Sequence, residues 1–203
     1  MKPLRYNHIL CAARVALLAL IACWMPAFAH PGGFTHAPVA GFGAGFVHPL
    51  TGIDHLLAMF AIGLWSSRQT LALRWLTPLI VAVAMAGGAT LAWMGLSLFG
   101  VEFGIAFSVL LAGVCLCTLI RLPAAVGAAS IFALLLLHGN AHGTELAYGA
   151  EALQCMVGFM VSSALITGVG CILGGRGLTA RPRLLRIAGA AVVACGAGLI
   201  LSV

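Results

Sequence analysis

Long apolar runs constrain this chain of 203 residues more than any other feature. Apolar residues make up 63% of the sequence, charged residues only 7%, and the mean hydropathy is +1.15. Soluble domains carry about 25% charged residues, so an ordinary soluble protein is excluded. Several runs approach the roughly 20 apolar residues that a helix needs to cross a bilayer. We therefore expect an all-α, polytopic membrane protein with a single transmembrane domain.

The first 29 residues have the pattern of a cleaved signal peptide. A basic start and a short apolar run precede a small-x-small cleavage pattern: Lys2, Arg5 and Arg14, then residues 15–23, then Ala27-Phe28-Ala29. We predict a signal peptide at 1–29 and the transmembrane domain at 30–203. The alternative is an uncleaved first anchor, although the run of about 15 residues is short for a full span.

About six transmembrane helices are predicted after the signal peptide. They cover residues 41–65, 75–96, 103–120, 124–137, 153–173 and 187–203. The fourth is short unless the helix continues through His138 to His142. Pro49 removes a backbone donor within the first, so we expect that helix to open there. Broken transmembrane helices are often where transporters bind ions.

The arginines predict the orientation of these helices. All seven basic residues after position 29 are arginines, and they fall in alternate connections between spans: Arg68, Arg74, Arg121, Arg176, Arg181, Arg183 and Arg186. The positive-inside rule assigns these three connections to the cytoplasm and both mature termini to the periplasm. This topology gathers every candidate metal ligand toward the non-cytoplasmic side.

The first polar motif, HPLTGIDH at residues 48–55, lies inside an apolar run. A carboxylate at the bilayer centre costs roughly 2.5–3.5 kcal/mol on insertion scales, so such residues usually have a partner or a function. On an ideal helix His48 and His55 share a face with Gly52 and Met59. Asp54 is expected to bind a metal or to orient a histidine. The alternative is a capped helix start with a buried His–Asp hydrogen bond.

The second motif, HGNAHGTE at residues 138–145, spaces His138, His142 and Glu145 at i, i+4 and i+7. These three residues share one helical face and can chelate a metal ion. Gly139 and Gly143, also four apart, are expected to permit a close helix contact beside them. The pattern is not the His-Glu-x-x-His of a zincin protease. The alternative is an interfacial loop with exposed histidines.

Further polar residues are candidates for metal binding or helix capping. Glu102 is either a ligand or proton acceptor or an interfacial carboxylate, and Glu151 is expected to cap the fifth span. His30 and His36 are candidates for metal capture in the periplasm, or part of an unstructured tail. Five cysteines in the apolar segments are expected to be free and buried rather than paired: Cys115, Cys117, Cys155, Cys171 and Cys195.

Imidazole and carboxylate ligands together suit a divalent transition metal. Histidines bind metal only when neutral, so binding should weaken on acidification. The chain lacks the Gly-x-x-x-x-Gly-Lys-Ser/Thr motif of ATPases, and no organic cofactor is expected. Its scattered basic residues form no platform for nucleic acid.

Three segments taken in order closely resemble the signatures of the HupE/UreJ family. They are HPLTGIDHLLAM at 48–59, VEFGIAFS at 101–108 and HGNAHGTE at 138–145. The resemblance implies a multi-pass protein of the bacterial inner membrane that imports Ni²⁺ as a secondary permease, with Co²⁺ or Zn²⁺ as possible substrates. It also implies an indirect link to hydrogenase or urease maturation. The functional positions that it implies are His48, Asp54, His55, Glu102, His142 and Glu145.

One departure from the family pattern is Asn140, where we expect many relatives to carry a histidine, and its presence predicts a weaker or altered outer site. Two other functional classes stay open at this point. An intramembrane zinc hydrolase would use the histidines and an acid to activate water, with Ser108 as a conceivable nucleophile. A metal-binding accessory protein would neither transport nor catalyse. The permease, which is not an enzyme, is the favoured prediction.

Overall fold

The computed structural model describes residues 41–178 and 181–203, and in this part of the chain the regular structure is entirely helical. The helices are α1 (Phe42–Thr51), α2 (Ile53–Ser66), α3 (Leu71–Trp93), α4 (Val101–Thr118), α5 (Ala124–Glu145), α6 (Ala150–Leu173) and α7 (Pro182–Ser202). A π-helical turn, Gly174–Leu178, extends α6. The all-α prediction is confirmed. The predicted signal peptide, His30 and His36 lie outside the described residues.

Five of these helices, α3 to α7, are long and apolar enough to cross a membrane. Helices α1 and α2 meet the same criterion only as a pair, and they are bent by 77° at the break between them. The described residues therefore contain five spans, or six if the bent pair is one span. This result agrees with the predicted polytopic membrane protein.

The bend of the first span lies at Gly52 and not at Pro49, where the sequence predicted an opening. Pro49 is inside α1, whereas Gly52 has an extended backbone and donates its N–H to the carbonyl of His48 at 2.8 Å. Glycine is a poor helix former, so the chain turns there at little cost. The break also means that His48 and His55 do not share the face of one continuous helix.

Several helices extend beyond the predicted limits. Helix α5 continues through His138 to Glu145, as its shortness suggested. Helices α3 and α7 begin at Leu71 and Pro182, four and five residues before the predicted starts at 75 and 187. Hydropathy marks the apolar part of a helix, while backbone hydrogen bonding continues to the cap. At α3 that cap is Thr70, whose hydroxyl accepts the N–H of Leu73 at 3.3 Å.

Glycines allow the helices to approach one another closely. A Cβ atom added at Gly139 would overlap the backbone of Met85, and one added at Gly143 would lie 2.7 Å from the Cα of Ala89. These contacts hold α5 against α3, as predicted from the glycine spacing. Helix α6 packs against α1, α2 and α3, and α4 packs against α7. The four helices α2, α3, α5 and α6 thereby enclose most of the core.

The arginine-bearing connections lie together at one end of the bundle. There the indole N–H of Trp65 and the amide of Gln69 both donate to the carbonyl of Ile120, each at 2.9 Å. Gly174 approaches Ser67 at the same end, which brings the end of α6 to the end of α2. The two histidine motifs, by contrast, lie toward the opposite end. The cytoplasmic assignment of the arginine end stays a prediction.

Four of the five cysteines are free as predicted, but only two of these four are buried, and the fifth cysteine is paired. Cys115, Cys117, Cys155 and Cys171 are free. Cys195 is disulfide-bonded. Pairing depends on which cysteines are brought together in space, and their positions along an apolar chain do not reveal it.

Candidate metal centre

Three histidines from three helices converge inside the bundle. His48 comes from α1, His55 from α2 and His142 from α5. One ring nitrogen of each lies within 4.8 Å of the other two. His55 and His142 are each only 3% exposed, whereas His48 is half-buried. We call these residues the three-histidine group.

Asp54 orients the ring of His55. Its Oδ1 lies 2.9 Å from Nδ1 of His55. An ionised carboxylate can only accept hydrogen bonds, so Nδ1 of His55 carries the proton and donates it. Asp54 lies in the first turn of α2, where the partial positive charge of the helix amino terminus stabilises a carboxylate. The unprotonated Nε2 of His55 is therefore available to a metal ion.

Glu145 contacts the ring of His142 on α5 in the way that Asp54 contacts the ring of His55. Its Oε2 lies 3.3 Å from Nδ1 of His142, three residues earlier in the helix. Its side chain is 35% exposed, compared with 30% for that of Asp54. The Nε2 atom of His142 is consequently the unprotonated nitrogen in this ring as well.

The Nε2 atoms of the two rings face each other. Nε2 of His55 lies 2.8 Å from Nε2 of His142. Two lone pairs at this distance repel each other unless a proton or a metal ion lies between them. Ligand nitrogens about 2.1 Å from a shared ion and 90° apart are about 3.0 Å from each other. The pair thus has the spacing of neighbouring ligands, and a ring nitrogen of His48 lies within 4.8 Å of both.

Phe159 of α6 forms an apolar wall of the group. Its ring stacks on that of His142, with centroids 4.2 Å apart, and meets the edge of His48 at 4.9 Å. Phe159 is 4% exposed. Sequence reasoning missed this residue because an aromatic side chain in an apolar helix carries no distinguishing signal. Only the packing of α6 beside the two motifs identifies it.

His138 lies next to the three-histidine group but is not part of it. Its ring centroid is 4.8 Å from that of His55, and the residue is fully buried. Its Nε2 is hydrogen-bonded to the hydroxyl of Ser108 at 2.8 Å. The alternative of an interfacial loop is wrong, because both histidines of the second motif are buried within α5. A metal-binding role for His138 stays a prediction.

The structure does not bring Glu102 into the three-histidine group. This residue is exposed in the first turn of α4, at the same end of the bundle as the histidines. A role for Glu102 as a ligand or proton acceptor stays a prediction, as does the alternative of an interfacial carboxylate. Glu151 lies in the first turn of α6, and the cap position itself is occupied by Gly149.

Asn140 forms its hydrogen bonds with α3 and with the connection that follows α3. Its amide donates to the carbonyls of Gly88 and Leu96, at 3.2 and 2.9 Å, and its Oδ1 accepts the N–H of Leu98 at 2.9 Å. The side chain is fully buried and ties the connection between α3 and α4 to α5. Asn140 therefore has a structural role on the side of α5 that faces α3. The predicted weakening of the metal site through Asn140 has no support in these contacts.

Comparison with known proteins agrees with the motifs. The HupE / UreJ protein family matches residues 18–199. Protein HupE of Rhizobium leguminosarum bv. viciae is 34% identical over 182 residues, which cover 89% of this chain and 94% of that protein. No solved structure matches the chain significantly. The match extends over nearly the whole length and includes every residue of the three-histidine group, so this chain is a member of the HupE/UreJ family.

Proposed function

We propose that this protein imports Ni²⁺ across the bacterial inner membrane as a secondary transporter, and that the three-histidine group binds the ion. The observation that carries the proposal is the pair of carboxylate-oriented imidazoles, whose Nε2 atoms are 2.8 Å apart. A carboxylate that orients a metal-binding histidine is a recurrent feature of metal sites. The family is associated with nickel or cobalt uptake for hydrogenase or urease, which supports this choice of ion.

The charges of the site suit a divalent ion in a membrane. A dication buried without compensation is very unfavourable in a medium of low dielectric constant. Asp54 and Glu145 each contribute a negative charge through contact with a histidine of the group. Together they balance the two positive charges of the ion. His48, the half-buried member, is the ligand most accessible to an arriving ion. Hydrating water is then replaced by the buried nitrogens of His55 and His142.

The membrane potential is a sufficient source of energy. Each elementary charge moved through 100 mV contributes about 2.3 kcal/mol, so a divalent ion moved inward gains about 4.6 kcal/mol. A site that balances the charge of the ion but binds it with moderate affinity allows the membrane potential to drive release of the ion into the cytoplasm. ATP hydrolysis by the chain itself is not required.

Uptake of radiolabelled nickel at submicromolar concentration tests the proposal in cells that lack their own nickel importers. We would compare the parent with His55→Ala and His142→Ala at matched membrane expression. Glu151→Gln is the control, because it changes an exposed residue outside the three-histidine group. We expect uptake in the parent and the control and its loss in both histidine variants. Cobalt and zinc added as competitors measure selectivity.

Two results would overturn the proposal. No uptake by a well-expressed parent, together with metal bound to the purified protein, would indicate an accessory role. Unchanged uptake in both histidine variants would exclude the three-histidine group as the transport site. The hydrolase alternative has weaker support, because the pair formed by Ser108 and His138 is completely buried.

A further inference from the structure

Ser108 fixes the protonation pattern of His138. Its Oγ lies 2.7 Å from the carbonyl oxygen of Ile105 and 2.8 Å from Nε2 of His138. A carbonyl oxygen only accepts, so the single hydroxyl proton of Ser108 is donated to Ile105. The hydroxyl oxygen must then accept from His138, and Nε2 of His138 carries the proton.

The other ring nitrogen of His138 is left as an unprotonated acceptor. Nδ1 of His138 is buried and has no hydrogen-bond partner among the described residues. Burying a polar atom without a hydrogen-bond partner is energetically unfavourable. A histidine that served only to fill the core would be expected to have both nitrogens satisfied. The unpaired lone pair is therefore available to a ligand.

The position of this nitrogen suggests which ligand it is. His138 is four residues before His142 on α5, about 6 Å farther from the outer end of the helix. Its ring meets the ring of His55 edge to face, with centroids 4.8 Å apart. His55 is thus in contact both with the three-histidine group and with His138. An unprotonated imidazole nitrogen at this place is suited to a divalent transition metal.

We propose that His138 is an inner metal ligand that receives the ion from His55, and that Ser108 is the positioning residue that presents its Nδ1 lone pair. The inference rests on the proposed transport of a metal ion through the three-histidine group. It adds a second binding position, deeper in the bundle and closer to its arginine end. Ser108 holds the ring through Nε2 and does not itself contact the ion.

Nitrogen-15 NMR of the purified, metal-free protein tests the tautomer. The protein would be labelled at its histidine nitrogens, and the signals of His138 assigned by comparison with His138→Gln. We expect Nε2 to be protonated and Nδ1 unprotonated in the parent. In Ser108→Ala we expect a mixture of both tautomers, because the hydroxyl acceptor is gone. Ser66→Ala is the matched control, since Ser66 is equally buried, also has its hydroxyl bonded to the carbonyl three residues earlier, and is otherwise bonded to Cys171 rather than to a histidine.

Uptake kinetics test the role in transport with the same variants. Loss of a residue that orients a metal ligand usually reduces affinity or activity about 10–100-fold. For Ser108→Ala we expect the maximal nickel uptake rate to fall at least about tenfold. The half-saturating concentration should stay within about twofold of the parent's, because the three-histidine group is intact. Ser66→Ala should match the parent in both.

The two measurements separate this inference from the proposed function. A His138 protonated at Nδ1 in the parent would overturn the inference, and this result needs no nickel. Parent-like maximal uptake in Ser108→Ala would also overturn it, while the three-histidine group would remain the transport site. A tenfold rise in the half-saturating concentration of Ser108→Ala, with the maximal rate unchanged, would contradict an inner binding position. An absence of uptake in the parent would defeat the proposed function itself.

Discussion

The two carboxylates beside the three-histidine group should contribute unequally to nickel affinity. Asp54→Asn and Glu145→Gln each remove one negative charge and retain nearly the same volume. An amide can donate to Nδ1 of a histidine as well as accept from it, so either change allows the tautomer in which Nε2 is protonated and cannot bind a metal. Because both variants lose the same charge, the difference between them reports the orienting hydrogen bond.

The structure gives the order and size of the two effects. The contact of Asp54 with His55 is 2.9 Å long, and that of Glu145 with His142 is 3.3 Å. The side chain of Asp54 is also slightly less exposed, 30% compared with 35%. Removing such partners weakens metal affinity about 10–100-fold, or about 1.4–2.8 kcal/mol. We expect Asp54→Asn near the upper limit and Glu145→Gln near the lower.

Isothermal titration calorimetry of the purified protein in detergent, with Ni²⁺ as titrant, measures these affinities. Glu151→Gln is the control, since it removes a negative charge at the start of α6 without touching a histidine of the group. It should bind nickel as the parent does. The reasoning would be refuted if Asp54→Asn bound as tightly as the control. It would also be refuted if Glu145→Gln reduced the affinity more than Asp54→Asn.

Three further predictions concern the support of the site. Asn140→Ala should lower stability by about 1–3 kcal/mol through loss of its buried hydrogen bonds, with nickel affinity unchanged; thermal unfolding and calorimetry would show both. Gly139→Ala should destabilise the protein by about 1–3 kcal/mol because its Cβ overlaps Met85, whereas Gly198→Ala, which has open space, should not; equal melting temperatures would contradict this. Gly52→Ala places a Cβ 3.1 Å from Oδ1 of Asp54 and 3.3 Å from Nδ1 of His55, so nickel affinity should fall, and parent-like binding would exclude this crowding.

The helical membrane fold was predictable because the bilayer imposes simple requirements on composition. Apolar runs of sufficient length became α3 to α7, and the polar motif after residue 137 continued α5 to Glu145. Helix ends were less predictable, since caps such as Thr70 lie beyond the apolar part of the helix. The disulfide of Cys195 was missed because a pairing depends on tertiary proximity.

The candidate site was predictable in its members more than in its arrangement. Histidines and carboxylates are conspicuous in an apolar chain, so both motifs could be identified from the sequence. The spacing of His48 and His55 suggested one helical face, yet the chain bends by 77° between them. Glu102 looked equivalent to the other acids, but it is exposed and outside the group.

The sequence by itself determined that this protein is a helical membrane protein with histidines and carboxylates in apolar surroundings. Composition and periodicity suffice for that, because charge is so costly in a bilayer. Only the tertiary structure decided which of these residues meet. The packing of the helices places Nε2 of His55 2.8 Å from Nε2 of His142, and the bend at Gly52 separates the helix of His48 from that of His55. The same packing places Asn140 in hydrogen bonds with the connection between α3 and α4, and it leaves Nδ1 of His138 without a partner among the described residues. Such contacts depend on how residues far apart in the sequence are brought together, which the sequence alone does not show.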